Sequence, residues 1–145
     1  MAFYLFLAFA LLVGIALGFA WWKGGMPERI ASGMFLIAWL VSMATDSPYA
    51  IRYHEVQLNY LLIDFTLLVG LLLLTRATRR RWTVLAASLQ SLIVLAHLAR
   101  AISPHQWALV YMIMTTIWPY LQLLVLIGGT VTHWRRTAVL ESARS

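Results

Sequence analysis

Residues Gln57–Thr75 read QLNYLLIDFTLLVGLLLLT, an apolar run that carries one charge, Asp64. A helix crosses the hydrocarbon of a bilayer with about 20 predominantly apolar residues, so the run has the length and composition of a membrane span. A charge inside hydrocarbon costs at least about 2.5–3.5 kcal/mol and persists mostly where it is paired or faces a polar interior. Asp64 is therefore the first candidate for the centre of a working site. Tyr53, Gln57, Tyr60 and Asp64 step 4, 3 and 4 residues apart, the spacing of one helical face. Beyond Asp64 the run holds only leucines, Val69 and Gly70 as far as Thr75 once Phe65 and Thr66 are passed.

The rest of the chain has the same character. Of 145 residues, 62% are hydrophobic and 11% charged, with a mean hydropathy of +0.80; soluble domains carry about 25% charged residues. The expectation is an integral membrane protein, all-α, with residues 1–145 forming a single domain. The net charge of +6 and the pI near 10.3 do not point to nucleic acid, because the basic residues lie between apolar runs, where the positive-inside rule places them. There is no cysteine, which excludes disulfides, zinc–thiolate sites and iron–sulfur clusters.

Five spans are expected, over residues 3–22, 27–45, 57–75, 82–102 and 105–133. The first lacks the positive leader of a signal peptide and reads as a retained helix; Trp21 and Trp22 close it as interfacial anchors. Its Ala10, Gly14 and Gly18 fall four apart on one face, a small-residue stripe suited to close helix packing, expected here within the chain. Pro27 and Glu28 suit the start of the second span, where proline loses no bond and a carboxylate meets the positive dipole end. Residues 48–56 fit an interfacial segment. Ser103, Pro104 and Gln106 make a helix-start signal for the fifth span. In that span Tyr111, Thr115, Trp118 and Gln122 again step 4, 3 and 4 apart, and Pro119 is expected to kink it.

Topology follows from the turn containing Arg76, Arg79, Arg80 and Arg81. With that turn in the cytoplasm, alternation puts Lys23, Arg29, Arg135, Arg136 and Arg144 on the same side and leaves Arg52 and Arg100 opposite. The N-terminus is then outside and the C-terminus inside, in the pattern of a multi-pass protein of a bacterial inner (cytoplasmic) membrane.

Counting back from the basic turn at about 1.5 Å per residue places Asp64 opposite residues 93–95. Gln90 and His97 lie within about a turn of that level, and Arg100 one turn further out. Asp64, His97, Gln90 and Arg100 are expected to share one polar cluster, with Tyr60 and Gln57 at its mouth and Tyr111 and Thr115 at comparable depth. An Asp and a His held together away from water can relay a proton, and similar donors beside aromatic rings hold quinone headgroups. The plain alternative is a polar clasp that fixes helix register, since interhelical polar contacts contribute only about 0.6 kcal/mol each.

Four histidines raise haem and metal. Bis-histidine haem needs two histidines facing each other inside the membrane, and only His97 lies well within a span. His54, Glu55, His105 and Asp46 match no metal-ligand spacing. Neither haem nor a metal is expected. No hydrolase triad, phosphate-binding glycine loop or paired catalytic carboxylate appears, so the chain leans away from an enzyme. The leading expectation is a small accessory or structural subunit of a larger membrane complex, partnered by lipid and other membrane subunits. The alternative is a proton- or quinone-linked protein, or a small transporter, built on Asp64 and His97.

Overall fold

The computed structural model describes residues 2–45, 58–102 and 108–142, with backbone alone at 2, 3, 5, 6 and 108–116. Among the described residues the chain is entirely helical: α1 (Ala2–Lys23), α2 (Met26–Ala44), α3 (Leu58–Thr78), α4 (Arg81–Ile102) and α5 (Ala108–Ser142). Two of them, α3 and α4, are long and apolar enough to cross a membrane. The expected interfacial segment 48–56 and the Ser103–Pro104 helix start lie outside the described residues.

The contacts fix the path of the chain. Each helix packs on the next in sequence, α1 closes on α5, and α2 also meets α5 across the bundle. Met34 lies against Gly70, and Glu28 bonds Arg80, so α2 and α3 run antiparallel. Gln90 bonds Gln122, and Trp82 lies against Gly129, so α4 and α5 are antiparallel too. Phe9 packs edge-on to Tyr120 at 4.9 Å and Phe19 to Trp134 at 6.5 Å; both numbers rise together along the chain, so α1 and α5 run parallel. Direction thus alternates from helix to helix. One consequence is that every described lysine and arginine except Arg100 falls at one end of the bundle, called the basic end below.

Sequence explains where the helices turn. Gly25 caps α2, and Glu28, three residues on, reaches back so that its Oε2 accepts the Gly25 N–H at 3.0 Å, the reciprocal half of a capping box. Gly24 has no room for a side chain, with the Ala20 carbonyl in the place a Cβ would take. Between α3 and α4, Arg79 takes a left-handed backbone with φ of 51°, and its N–H donates to the Thr75 carbonyl at 2.9 Å. That is the usual way to close a helix C-terminus, here without a glycine.

Most helix ends fall within a residue of the sequence expectation, but two C-terminal ends run well past it. α3 runs on to Thr78, so Arg76 belongs to its last turn and the link to α4 shrinks to Arg79 and Arg80. α5 does not end at His133. It stays helical to Ser142, because TAVLE contains good helix formers and no glycine or proline. The helix also continues through Pro119.

Small residues carry the close packing, but not the ones the glycine stripe suggested. α1 buries Val13, Ala16, Leu17 and Ala20, an i, i+3, i+4, i+7 face. Gly14 and Gly18 point away from the bundle, with nothing within 4 Å of an added Cβ, and Ala10 is half-buried. The Ala–Leu face buries more apolar surface than the glycines could offer, which turns the stripe outward. Ala31, Ala86 and Ala87 play the same close-packing part in α2 and α4, around Leu71 and Leu126.

Two adjacent glycines in α5 test this packing. A Cβ at Gly129 would stand 2.6 Å from the Trp82 ring, whereas Gly128 has open space. Gly129→Ala is expected to destabilise by roughly 1–3 kcal/mol through overpacking. Gly128→Ala should gain about 0.5–1 kcal/mol of helix propensity. Unfolding of the detergent-solubilised protein with rising dodecyl sulfate measures both; equal behaviour of the two variants would contradict the Trp82 contact.

Candidate functional site

The site begins with the facing surfaces of α3 and α4. On α4, Thr83, Gln90 and His97 recur every seven residues, two turns apart on one face, and all are buried. Asp64 meets that face from α3. Its Oδ2 lies 2.9 Å from His97 Nε2, within hydrogen-bond distance; an ionised carboxylate accepts there from the Nε2–H tautomer. Gln90 Nε2 donates to both the Asp64 side chain (Oδ1, 2.9 Å) and the Asp64 carbonyl (3.0 Å). Gln90 Oε1 in turn accepts from Gln122 Nε2 of α5 at 2.6 Å, and the same Gln122 group reaches the Ala86 carbonyl at 3.4 Å. A single hydrogen-bonded chain therefore crosses three helices. Gln122 fixes the orientation of the Gln90 amide, so that its N–H groups face Asp64.

The pair is unequal in exposure. The Asp64 side chain keeps 22% of its surface accessible, against 6% for His97. Asp64 is thus the more exposed partner, while His97 is the more enclosed one. Such an arrangement can hold and pass a proton, since Nε2 and Oδ2 are at transfer distance.

Of the residues that sequence grouped here, the structure brings together Asp64, His97 and Gln90. Arg100 is buried one turn beyond His97, at 5% exposure, and Tyr60 is half-buried one turn before Asp64. Gln57 lies outside the described residues, and Tyr111 and Thr115 are described by backbone only. Gln122 was not expected in the cluster, although its place on the Tyr111–Thr115–Trp118 face was a usable signal.

A second polar cluster, at the basic end, was not foreseen. Glu28 is fully buried. Its Oε1 accepts from Arg80 Nη1 at 2.8 Å and from the Trp82 indole N–H at 3.0 Å, while Oε2 accepts the Gly25 N–H. Arg80 Nη1 also lies 3.4 Å from His133 Nδ1 of α5. One carboxylate thus ties together the start of α2, the α3–α4 link, α4 and, through Arg80, α5. Sequence had given Glu28 to the helix dipole and Arg80 to topology. The overlooked signal was an acidic residue in a span start surrounded by arginines from distant turns, which only the alternation of helix directions brings to one end. Among the described residues, no three His, Cys, Asp or Glu side chains converge to hold a metal ion.

The chain matches no protein-family model, no curated protein and no solved structure.

The basic-end cluster yields a stability prediction. Removing one partner of a buried pair leaves the other charge uncompensated, at a typical cost of about 3–5 kcal/mol. Arg80 is 31% exposed while Glu28 is fully buried, so water recovers part of that loss, and Arg80→Ala is expected to cost roughly 2–3 kcal/mol. Arg80→Lys, which keeps the charge, should cost less than half as much. Unfolding in mixed detergent reads the difference; a cost for Arg80→Ala below about 0.5 kcal/mol, the range of ordinary surface substitutions, would mean that Glu28 does not depend on it.

Proposed function

We infer that this chain is a five-span membrane protein whose Asp64–His97 pair is a proton-handling site. The observation that carries the reading is the 2.9 Å contact between the two side chains inside a bundle clothed in leucine. Leu62, Leu73 and Leu95 are 58–64% exposed on the outside of α3 and α4, while Gln90, Gln122 and Glu28 are buried within. In water that distribution would leave a large apolar surface wet; in a bilayer it matches the solvent. Ionisable groups retained inside a membrane bundle are costly and cluster on proton and ion pathways.

The basic end faces the cytoplasm in this reading. Arg76, Arg79 and Arg81 are exposed there along with Arg135 and Arg136, as the positive-inside rule requires. That orientation suits an inner (cytoplasmic) membrane. A single cysteine at Ala138, exposed on the last turns of α5, is expected to react with a membrane-impermeant maleimide only after cells are opened. The chain has no native cysteine to confuse the result. Labelling in intact cells would reverse the orientation.

The site itself is tested by proton flux. The purified protein is placed in vesicles containing a trapped pH dye, and a potassium diffusion potential is imposed. Wild type is expected to pass protons above the rate of empty vesicles, and Asp64→Asn, close in shape but without the charge, should lower that excess at least about tenfold, the effect of roughly 1.4 kcal/mol on the barrier. If Asp64→Asn retains wild-type helicity and conducts equally, or wild type conducts no better than empty vesicles, the pair is a structural clasp.

A second reading keeps the chain as an accessory subunit. It draws on Gly14 and Gly18, which leave an open, apolar face on α1 of the kind along which membrane helices approach closely. Co-purification with a larger set of membrane proteins in mild detergent would favour it.

A further inference from the structure

The Asp64–His97 pair occupies one level of the bundle, and the polar residues do not stop there. Thr75 follows Asp64 by eleven residues, about three full turns, so both lie on the same face of α3. Thr75 precedes Arg79 by four residues and Thr83 follows it by four, so the antiparallel link sets the two threonines level. Thr83 shares the face of α4 that carries Gln90 and His97. On α5, His133 follows Gln122 by the same eleven residues and so returns to the face of Gln122. Three helices thus repeat a polar group about three turns or less nearer the basic end, beside the Glu28–Arg80–Trp82 cluster.

Between these two polar levels, about 10 Å apart along α4, lies an apolar layer. Leu71 and Leu126 are fully buried, and Ala86 and Ala87 face the same interior with at most 4% exposure. The alanines are small and the leucines flexible, so this layer is the thinnest barrier between the levels. Below it, the Thr75 hydroxyl is buried and has no hydrogen-bond partner among the described residues. Thr83 and Thr130 donate to the carbonyls of Arg80 and Leu126 and keep acceptor capacity, since a hydroxyl has two lone pairs. An unpaired buried hydroxyl costs about 1–3 kcal/mol unless something bonds it, and water is the group that fits a polar, enclosed position.

We propose that the bundle contains a gated proton path from Asp64–His97 to the basic end, with Leu71 and Leu126 as the gate. It rests on the proton-handling reading of the Asp64–His97 pair. A proton enters at the accessible Asp64 and is held by the carboxylate and His97. When water enters the leucine layer, the proton passes to that water and then to the Thr75 and Thr83 hydroxyls. Each hydroxyl takes one proton and releases another. His133, half-buried on the Gln122 face, delivers it to the aqueous phase. One proton enters and one leaves, and no redox partner is needed. Glu28 is not a carrier: its three donors, from Gly25, Arg80 and Trp82, hold it in place. Gating by wetting and drying of a hydrophobic constriction needs no large helix motion.

The full chain in phosphatidylcholine–phosphatidylglycerol vesicles, with a trapped pH dye and a potassium diffusion potential, tests the gate. Leu71→Ser and Leu126→Ser each are expected to raise proton flux at least about tenfold by wetting the layer, while Leu71→Ile stays near wild type. Thr75→Val, which removes only the hydroxyl, should lower flux several-fold, alone and combined with Leu71→Ser. The path is overturned if both serine variants fold and conduct like wild type, or if Thr75→Val leaves flux unchanged. Should the serine variants not fold, Thr75→Val decides alone. Flux that depends on Asp64 but ignores the leucines and Thr75 defeats the path and spares the site. Wild-type flux no greater than in empty vesicles defeats both.

Discussion

A carboxylate enclosed by apolar side chains must find its hydrogen bonds inside the protein, and that requirement organises this bundle twice. Asp64 obtains donors from two residues of α4, one of which is steered by α5. Glu28 obtains three, from an indole, a guanidinium and a backbone amide. Packing of leucine against leucine would tolerate many rotations of one helix about another. The geometry of these two sets of donors tolerates few. Helix register therefore follows from polar satisfaction, and the apolar residues fill the space that register leaves.

The two carboxylates nevertheless have different characters. Glu28 is sealed, with its oxygens fully engaged by donors, one of them a formal cation. Asp64 is open on one side, and its nearest ionisable partner is an imidazole that can change its own charge. Donors of fixed charge make a rigid anchor, whereas a titratable partner makes a position whose charge state can change. The fold places the anchor among the arginines and the adjustable pair about two turns or more away, across a layer of leucine and alanine. Separation of a fixed charge from a variable one lets the second respond without loosening the first.

How much of this was readable from sequence depended on how local each signal was. Asp64, Gln90 and His97 came together as expected because α3 and α4 are joined by a short link, and counting residues away from Arg79 on both sides gives their depths directly. Gln122 was harder. It reaches the cluster from a helix whose depth had to be counted from a different turn, with residues beyond the described ones between. The Glu28 cluster joins positions from four parts of the chain, and the two charged ones each had an adequate local explanation: Glu28 as a dipole partner, Arg80 as a topology charge. Local sufficiency hid the long-range contact. The glycine stripe on α1 failed for the opposite reason. Its spacing announced close packing, but spacing does not say which of two available faces turns inward, and the alanine-and-leucine face won. The end of α5 was set too early because the length of a span was taken for the length of the helix, where helix propensity carries it on.

That extension of α5 has a mechanical consequence. From His133 to Ser142 the helix runs on for about 13 Å past the level where Arg80 touches it. The whole element is one unbroken helical rod through Gln122, Leu126 and His133, so it works as a lever with its fulcrum in the bundle. A slight tilt of α5 at the leucine layer, too small to disturb neighbouring side chains, is multiplied along the rod and sweeps Arg135, Arg136 and Leu140 through a wider arc. A tilt of α5 between α4 and α1 would thus move its exposed end further than any residue of the core.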